Sequence, residues 1–282
     1  MIEYYIINSG VNNSDTTAPD EKHLVINHNA GFFSNNTIAL MDIITFFNAH
    51  EELPDVVDRS AQYLHYKSAP GDNMIDFYFD CVNPPIRVPF EGDIPMPYDC
   101  MSIQFAPYSE LPFDDWLPFV EKYFRPSQHV FNIAFNLGQK YKLNYDNLCA
   151  VFYRGNDKNR EMSVAPYGAF IEKAADLKTK NPELRFLVQP DETEFLEAFK
   201  KAFPDSIAFD ETPHMSKKDS AIFYELPIKQ RAEFGATFFA ALLCLSRCKH
   251  VLTHSGNLGL WTCLYRGNAE NVHQIFNNKW IT

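Results

Sequence analysis

No stretch of this chain is apolar enough to cross a bilayer. The longest apolar run lies near Thr237 to Leu245, well short of the roughly 20 residues a span requires. Met1 to Ser9 is short, carries Glu3 and lacks the basic lead and long apolar core of an export signal. The expectation is a cytoplasmic protein, or a chain trimmed of an anchor. Basic runs are missing too. With a formal net charge of -11, and with Lys200-Lys201 and Lys217-Lys218 reading as solvated faces, a nucleic-acid surface is not expected, because such binding depends on neutralising phosphates. A few placed cations and backbone N–H groups can still hold a small anion, so the acidity does not exclude a nucleotide.

Neither GxxxxGK[ST] nor GxGxxG occurs in the right context, which argues against a P-loop kinase and a dinucleotide-dependent dehydrogenase. CxxC spacing is absent as well. Cys81, Cys100, Cys149, Cys244, Cys248 and Cys263 are scattered through apolar segments and read as reduced, buried thiols. Cys244, Cys248 and His250 sit in an apolar helix-like run rather than in a metal-ligand spacing. No cluster of metal-binding carboxylates is evident, so neither a metal nor any other cofactor is expected. Internal repeats and low-complexity tracts are also lacking.

What the chain does have is length, apolar mass and rings. At 282 residues with 46% hydrophobic residues it has material for two domains sharing one cleft. The 25 Phe and 14 Tyr suit large cores first, and a ring-lined cleft second. Tyr4 to Ile7 and Leu24-Val25-Ile26 read as strands, followed by a loop over His28 to Ser34, a helix over Thr37 to His50 and a strand opening at Val56-Val57. Residues 68–115 hold many prolines and read as loops and short edge strands, such as Ile75 to Phe79 and Met101 to Phe105, placed around an acceptor site. Helical periodicity returns from Pro112 to Lys142, broken at Pro126.

The C-terminal half alternates. Strands are expected at Leu148 to Tyr153, Arg185 to Val188, Ser206 to Phe209 and His250 to Leu252. Helices are expected at Ala169 to Lys180, Thr193 to Phe203, Gln230 to Arg247 and Asn257 to Tyr265. Such alternation means a parallel sheet covered on both faces, with ligands bound beyond the carboxyl ends of its strands.

Two strand-to-loop junctions carry the candidate chemistry. At Phe152-Tyr153-Arg154-Gly155-Asn156-Asp157-Lys158, with Glu161 beyond, a buried strand ends in an arginine, a lysine and carboxylates. A planar guanidinium holds a diphosphate through paired hydrogen bonds, Asp157 can brace either cation, and Glu161 can act on a hydroxyl. The alternative is a surface turn with ordinary ion pairs. At Leu252-Thr253-His254-Ser255-Gly256-Asn257-Leu258-Gly259 a strand enters a small-residue turn that opens a helix, so free N–H groups and the helix dipole converge. Here the alternative is a plain helix cap. Asp191 and Glu192 touch a donor ribose or simply begin the next helix, and His28 and His254 are loop histidines that face the cleft or are ordinary polar residues.

Arg154-Gly155-Asn156-Asp157-Lys158 resembles the arginine-aspartate-lysine motif of the fucosyltransferase superfamily of GT-B fold, which includes α1,6- and protein O-fucosyltransferases and bacterial nodulation fucosyltransferases. Thr253 to Gly259 is similar to its serine-rich donor loop, Phe186 to Glu192 to its strand ending in an acidic pair, and Ala30 to Ser34 to its N-terminal glycine loop. The four occur in the family's order over residues 24–265. The resemblance implies an α/β chain with two Rossmann-type domains facing one cleft: a compact acceptor-side domain over 1–140 and a nucleotide-sugar-binding domain over 146–282. It also implies inverting, metal-independent transfer of a sugar from a nucleotide-diphosphate donor to a glycan hydroxyl. Arg154, Lys158 and Glu161 become the catalytic set, with Glu161 as base. Arg154, Asp157, Asp191, His254, Ser255, Gly256 and Asn257 become donor contacts, and Gly31, Phe32 and Phe33 cleft residues. Three family positions differ. Phe152 stands for a guanine-holding histidine, Ala240 for an aspartate and Leu260 for an arginine. These leave a GDP-sugar, a UDP-sugar such as UDP-xylose, or a catalytically silent nucleotide- or glycan-binding module as the alternatives.

Overall fold

The computed structural model describes residues 5–7, 22–69, 71–80, 92–156, 158, 161–216 and 220–281. Asp157 of the first junction lies outside the described residues, as do Cys81 and Lys217-Lys218. The chain is a mixed α/β structure with two sheets. The larger runs in the order β5 (Arg185–Pro190), β4 (Leu148–Tyr153), β6 (His250–His254), β7 (Val272–Phe276) and β8 (Lys279–Ile281). All its neighbours are parallel except the β7–β8 hairpin.

The continuous apolar run of β4 is explained by burial on both faces. Leu148, Ala150 and Phe152 enter a core with α8 (Arg231–Arg247) and α9 (Asn257–Arg266), while Cys149, Val151 and Tyr153 enter a second core with α5 (Tyr167–Lys180) and α6 (Thr193–Ala202). Asn277 and Asn278, both at positive φ, turn β7 into β8.

The smaller sheet pairs β1 (Tyr5–Ile7) antiparallel and β3 (Val56–Asp58) parallel to β2 (His23–Val25). The crossover from β2 to β3 is α1 (Phe32–His50), a helix buried on nearly every side, its apolar residues joined in the interior by Asn35, Asn36, Thr37 and Asp42. After it come α2 (Met74–Tyr78), α3 (Phe113–Tyr123) and α4 (Gln128–Lys140), and α7 (Ile222–Glu225) precedes α8. α1, α3, α4, α8 and α9 share one apolar core, so residues from both halves of the chain are packed together. Among the described residues no helix is long and apolar enough to cross a membrane. The five described cysteines are free thiols, four of them buried.

Four sequence expectations need correction. α1 begins at Phe32, five residues earlier than expected, because the Asn35 side chain folds back on the Ala30 N–H and C=O at 2.8 and 3.1 Å. Ile75 to Tyr78 is helical rather than extended, and only Phe79 is extended, bridged to Pro126: Asn73 caps the helix by accepting from the Ile75 N–H at 3.0 Å. Met101 to Phe105 likewise forms a turn, wound by Asp99 Oδ1 accepting from Met101 and Ser102 and ending in a 3₁₀ segment, Ile103–Phe105. Ser206 to Phe209 makes a single bridge, Ile207 to Leu187, rather than a strand.

Candidate active site

The carboxyl ends of β4, β5 and β6 open into a cleft of about 830 Å³. Its polar wall comes from the two junctions. Arg154 leaves β4 with its Nε 2.8 Å from Asp191 Oδ2, and the same carboxylate accepts the Gly155 N–H at 2.9 Å, while Asn156 Nδ2 donates to the Asp191 carbonyl. Asp191, just past the end of β5, therefore positions the guanidinium from the neighbouring strand. Glu192 turns away to accept from the Tyr167 hydroxyl at 2.7 Å, and a side chain at Gly155 would collide with it.

Lys158 is buried, with Nζ 2.5 Å from Glu161 Oε2, 3.3 Å from Gln104 Oε1 and over the Phe105 ring. Nearly half of the Glu161 side chain remains exposed to the cleft. An ammonium thus sits fixed behind a carboxylate that opens on the cleft.

The second junction is fastened from outside its own sequence. Gly256, at φ 155°, donates its N–H to Tyr108 Oη and accepts from the same hydroxyl, both at 2.9 Å. Gln274 Nε2 donates to Ser255 Oγ and to the Ala106 carbonyl, and its Oε1 takes the Tyr108 N–H. These bonds aim the start of α9 at the cleft. Asn257, Leu258 and Gly259 occupy its first turn, where N–H groups have no acceptor within the helix and carry the positive end of its dipole. That geometry suits a phosphate.

Asn257 is oriented with a definite hand. Gln104 Oε1 accepts from Lys158 Nζ, which can only donate, so the Asn257 amide end facing it is the NH₂. Asn257 Oδ1 then lies 2.7 Å from the Thr37 hydroxyl, which accepts from Trp261 Nε1 at 2.9 Å and has the Phe33 carbonyl as a second acceptor at 3.0 Å. The Asn257 NH₂ is left toward the cleft, 3.2 Å from Gln104 Oε1.

His254 lies beneath both junctions, its ring nitrogens 3.3 Å from the backbone N–H groups of Arg154 and Ala165. Burial, with the Lys158 and Arg154 cations adding to it, pushes this imidazole down to about 3, so the ring is neutral and acts as a spacer between two backbones.

The opposite wall is aromatic. Gly31 reaches the rim, while the rings of Phe32 and Phe33 are buried and join Phe234, Phe238, Tyr66 and Phe223, with His65 stacked on Phe223 at 4.9 Å. His28 is half-buried outside this wall, and burial lowers its pKa. Phe152 lines the cleft, whereas Ala240 and Leu260 are core residues.

The cleft thus unites Arg154, Lys158, Glu161, Asp191, His254, Ser255, Gly256 and Asn257 with Gly31, Phe32 and Phe33. Sequence reasoning missed Thr37, Gln104, Tyr108 and Gln274, which stand in no recognisable motif, and gave no role to Gln189 within the Phe186 to Glu192 stretch. Their signal is spatial alone.

Gly259 tests the fastening. An added Cβ would meet Tyr108 Oη at 2.6 Å and the His254 carbonyl at 3.1 Å. Gly259→Ala is expected to cost about 1–3 kcal/mol by overpacking and to weaken anion binding as Tyr108 is pushed off Gly256. A thermal melt and a pyrophosphate titration check both effects.

No protein-family model matches the chain, and no curated protein matches it. Among solved structures it is remotely similar to fucosyltransferases. With the fucosyltransferase NodZ from Bradyrhizobium it has a TM-score of 0.47 and 14% identity over 82% of this chain and 87% of that one. With a NodZ α1,6-fucosyltransferase soaked with GDP-fucose the TM-score is 0.38 and the identity 12%, over 55% of this chain and 47% of that one. With a variant of FUT1 from Arabidopsis thaliana in complex with GDP the TM-score is 0.35 and the identity 13%, over 59% of this chain and 37% of that one. The chain spans about half the length, or less, of the latter two.

Proposed function

We propose that this protein is a glycosyltransferase that binds a nucleoside-diphosphate sugar against the start of α9 and passes the sugar to a glycan hydroxyl in the same cleft. One observation carries the reading. On a single wall, Arg154, Lys158 and the first-turn N–H groups of α9 converge beside a carboxylate, Glu161, held 2.5 Å from Lys158 Nζ. Residues 146–282 supply the donor side and residues 1–140 the acceptor side of a GT-B-type arrangement.

The chemistry is an inverting displacement. The acceptor oxygen attacks the anomeric carbon as Glu161 takes its proton, and the bond from that carbon to the diphosphate oxygen breaks on the opposite face. Negative charge gathering on the departing diphosphate meets Arg154 and the α9 dipole, already in place before the reaction begins. Phe152 presents no hydrogen bond where the resembled family places a histidine, which favours a UDP-sugar such as UDP-xylose over a GDP-sugar.

The decisive experiment incubates the protein with a panel of nucleotide sugars and oligosaccharide acceptors and follows nucleoside diphosphate release and product mass. Transfer supports the reading. Binding without turnover on any acceptor overturns it in favour of a catalytically silent binding module. Because the chain's own cations stand at the leaving group, EDTA is expected to leave the rate within about twofold. Activity lost to EDTA and regained with Mg²⁺ or Mn²⁺ would refute metal independence.

A further inference from the structure

Gln189 is the penultimate residue of β5, in register with Phe152 of β4, and both line the cleft. Only 5% of Gln189 is exposed. Its Nε2 donates to Thr212 Oγ1, and the Thr212 hydroxyl donates onward to the Phe209 carbonyl at 3.1 Å. A hydroxyl has one hydrogen to give. Since Thr212 spends it on Phe209, the Thr212 oxygen can only accept from Gln189, and the NH₂ end of the amide must be the end that faces it. The other end is thereby fixed as an acceptor, and Gln189 Oε1 has no partner within the protein. A buried carbonyl of this kind burdens the fold unless a ligand brings it a hydrogen.

Position says which part of a ligand does so. The candidate anion-holding groups, Arg154 and the start of α9, follow the ends of β4 and β6, and the Lys158–Glu161 pair also follows β4. β5 is the next strand outward, and Gln189 stands two residues before the aspartate that holds Arg154. A donor with its diphosphate at Arg154 and its sugar near Glu161 extends its nucleoside toward β5. Phe152, Pro190 and Pro213, the register and chain neighbours of Gln189 and Thr212, give that stretch of the cleft apolar surfaces suited to a flat base.

We propose that Gln189 reads the base of the donor, with its Oε1 accepting the ring N–H of uracil or guanine. The inference rests on the nucleotide-sugar reading of the cleft. Uracil and guanine carry a hydrogen on the ring nitrogen of the pairing edge. Cytosine and adenine present a bare acceptor there, which an orientation-locked oxygen repels. Thr212 is the positioning residue that holds the amide in its discriminating orientation.

The test is calorimetric titration of wild type, Gln189→Met and Thr212→Val with UDP, GDP, CDP, ADP and pyrophosphate. Wild type is expected to bind UDP or GDP at least about tenfold more tightly than CDP and ADP. Gln189→Met should lose about ten- to a hundredfold for the preferred nucleotide, flatten the preference, and bind pyrophosphate within about twofold of wild type. It should melt no lower than wild type, since it removes an unpaired oxygen. Thr212→Val, which frees the amide to turn, should flatten the preference with a smaller loss. A preference for CDP or ADP in wild type overturns the inference. So does an unchanged preference in Gln189→Met, or a parallel loss of pyrophosphate. Wild type that binds none of the five ligands, pyrophosphate included, instead overturns the nucleotide-sugar reading itself.

Discussion

Replacing Arg154 with alanine is expected to slow sugar transfer about 100- to 1000-fold, the range seen when one preorganised donor to developing negative charge is removed. The side chain leaves the end of a buried strand, so its origin is rigid, and Asp191 fixes its approach through Nε at 2.8 Å. Roughly a third of the side chain remains exposed to the cleft. Because this charge is placed before the diphosphate departs, the loss should fall mainly on kcat rather than on KM. The fold should survive, since Asp191 still receives the Gly155 N–H. Arg154→Lys should fall between wild type and alanine, because it keeps the charge and loses the planar fork. Initial rates measured beside circular-dichroism melts decide the matter. A variant that folds and keeps its rate within about threefold removes Arg154 from the mechanism.

Glu161→Gln should give the other large effect, a fall of about 100- to 10,000-fold in transfer, the span of a lost general base. Donor affinity should hardly change, because the amide keeps the shape and Arg154 and α9 are untouched. Lys158 loses a charged partner, yet it retains Gln104 Oε1 and the Phe105 ring, so the melting temperature should drop only slightly. Single-turnover rates at saturating donor, together with a UDP or GDP binding curve, separate the two roles. Unchanged transfer assigns the proton to another group. Lost donor binding assigns Glu161 to the donor side.

The C-terminal half was legible because its physics is local and repeated. Strands buried on both faces, such as Leu148–Tyr153 and Arg185–Pro190, must be continuous apolar runs, and helices such as Thr193–Ala202 must alternate every three to four residues. Strand ends then pointed to Arg154, Lys158, Glu161 and Ser255 to Asn257. The hairpin that ends the large sheet was missed although its turn, Asn277-Asn278, is the residue type that tolerates positive φ. Elsewhere single side chains overrode the pattern. Asn73 and Asp99 wound segments whose alternation reads as strand, and Asn35 started α1 inside a stretch of poor helix formers. Least legible were the glutamines. Gln104 touches Lys158 across 54 residues, and Gln274 reaches Tyr108 across 166. No window on the sequence spans such distances, and glutamine advertises no chemistry of its own.

Tyr108, Gln104 and Gln274 also bear on how this protein could be rebuilt. The start of α9 takes its shape from a hydroxyl in the N-terminal half, and Ser255 from a glutamine that holds the same N-terminal segment. A chimera that joins residues 146–282 to a different N-terminal half would carry the turn at Ser255 to Asn257 without its mould. Residues 104–108 shape the start of α9 by contact though not by sequence, so on the proposed reading a transplant of donor preference has to move them as well.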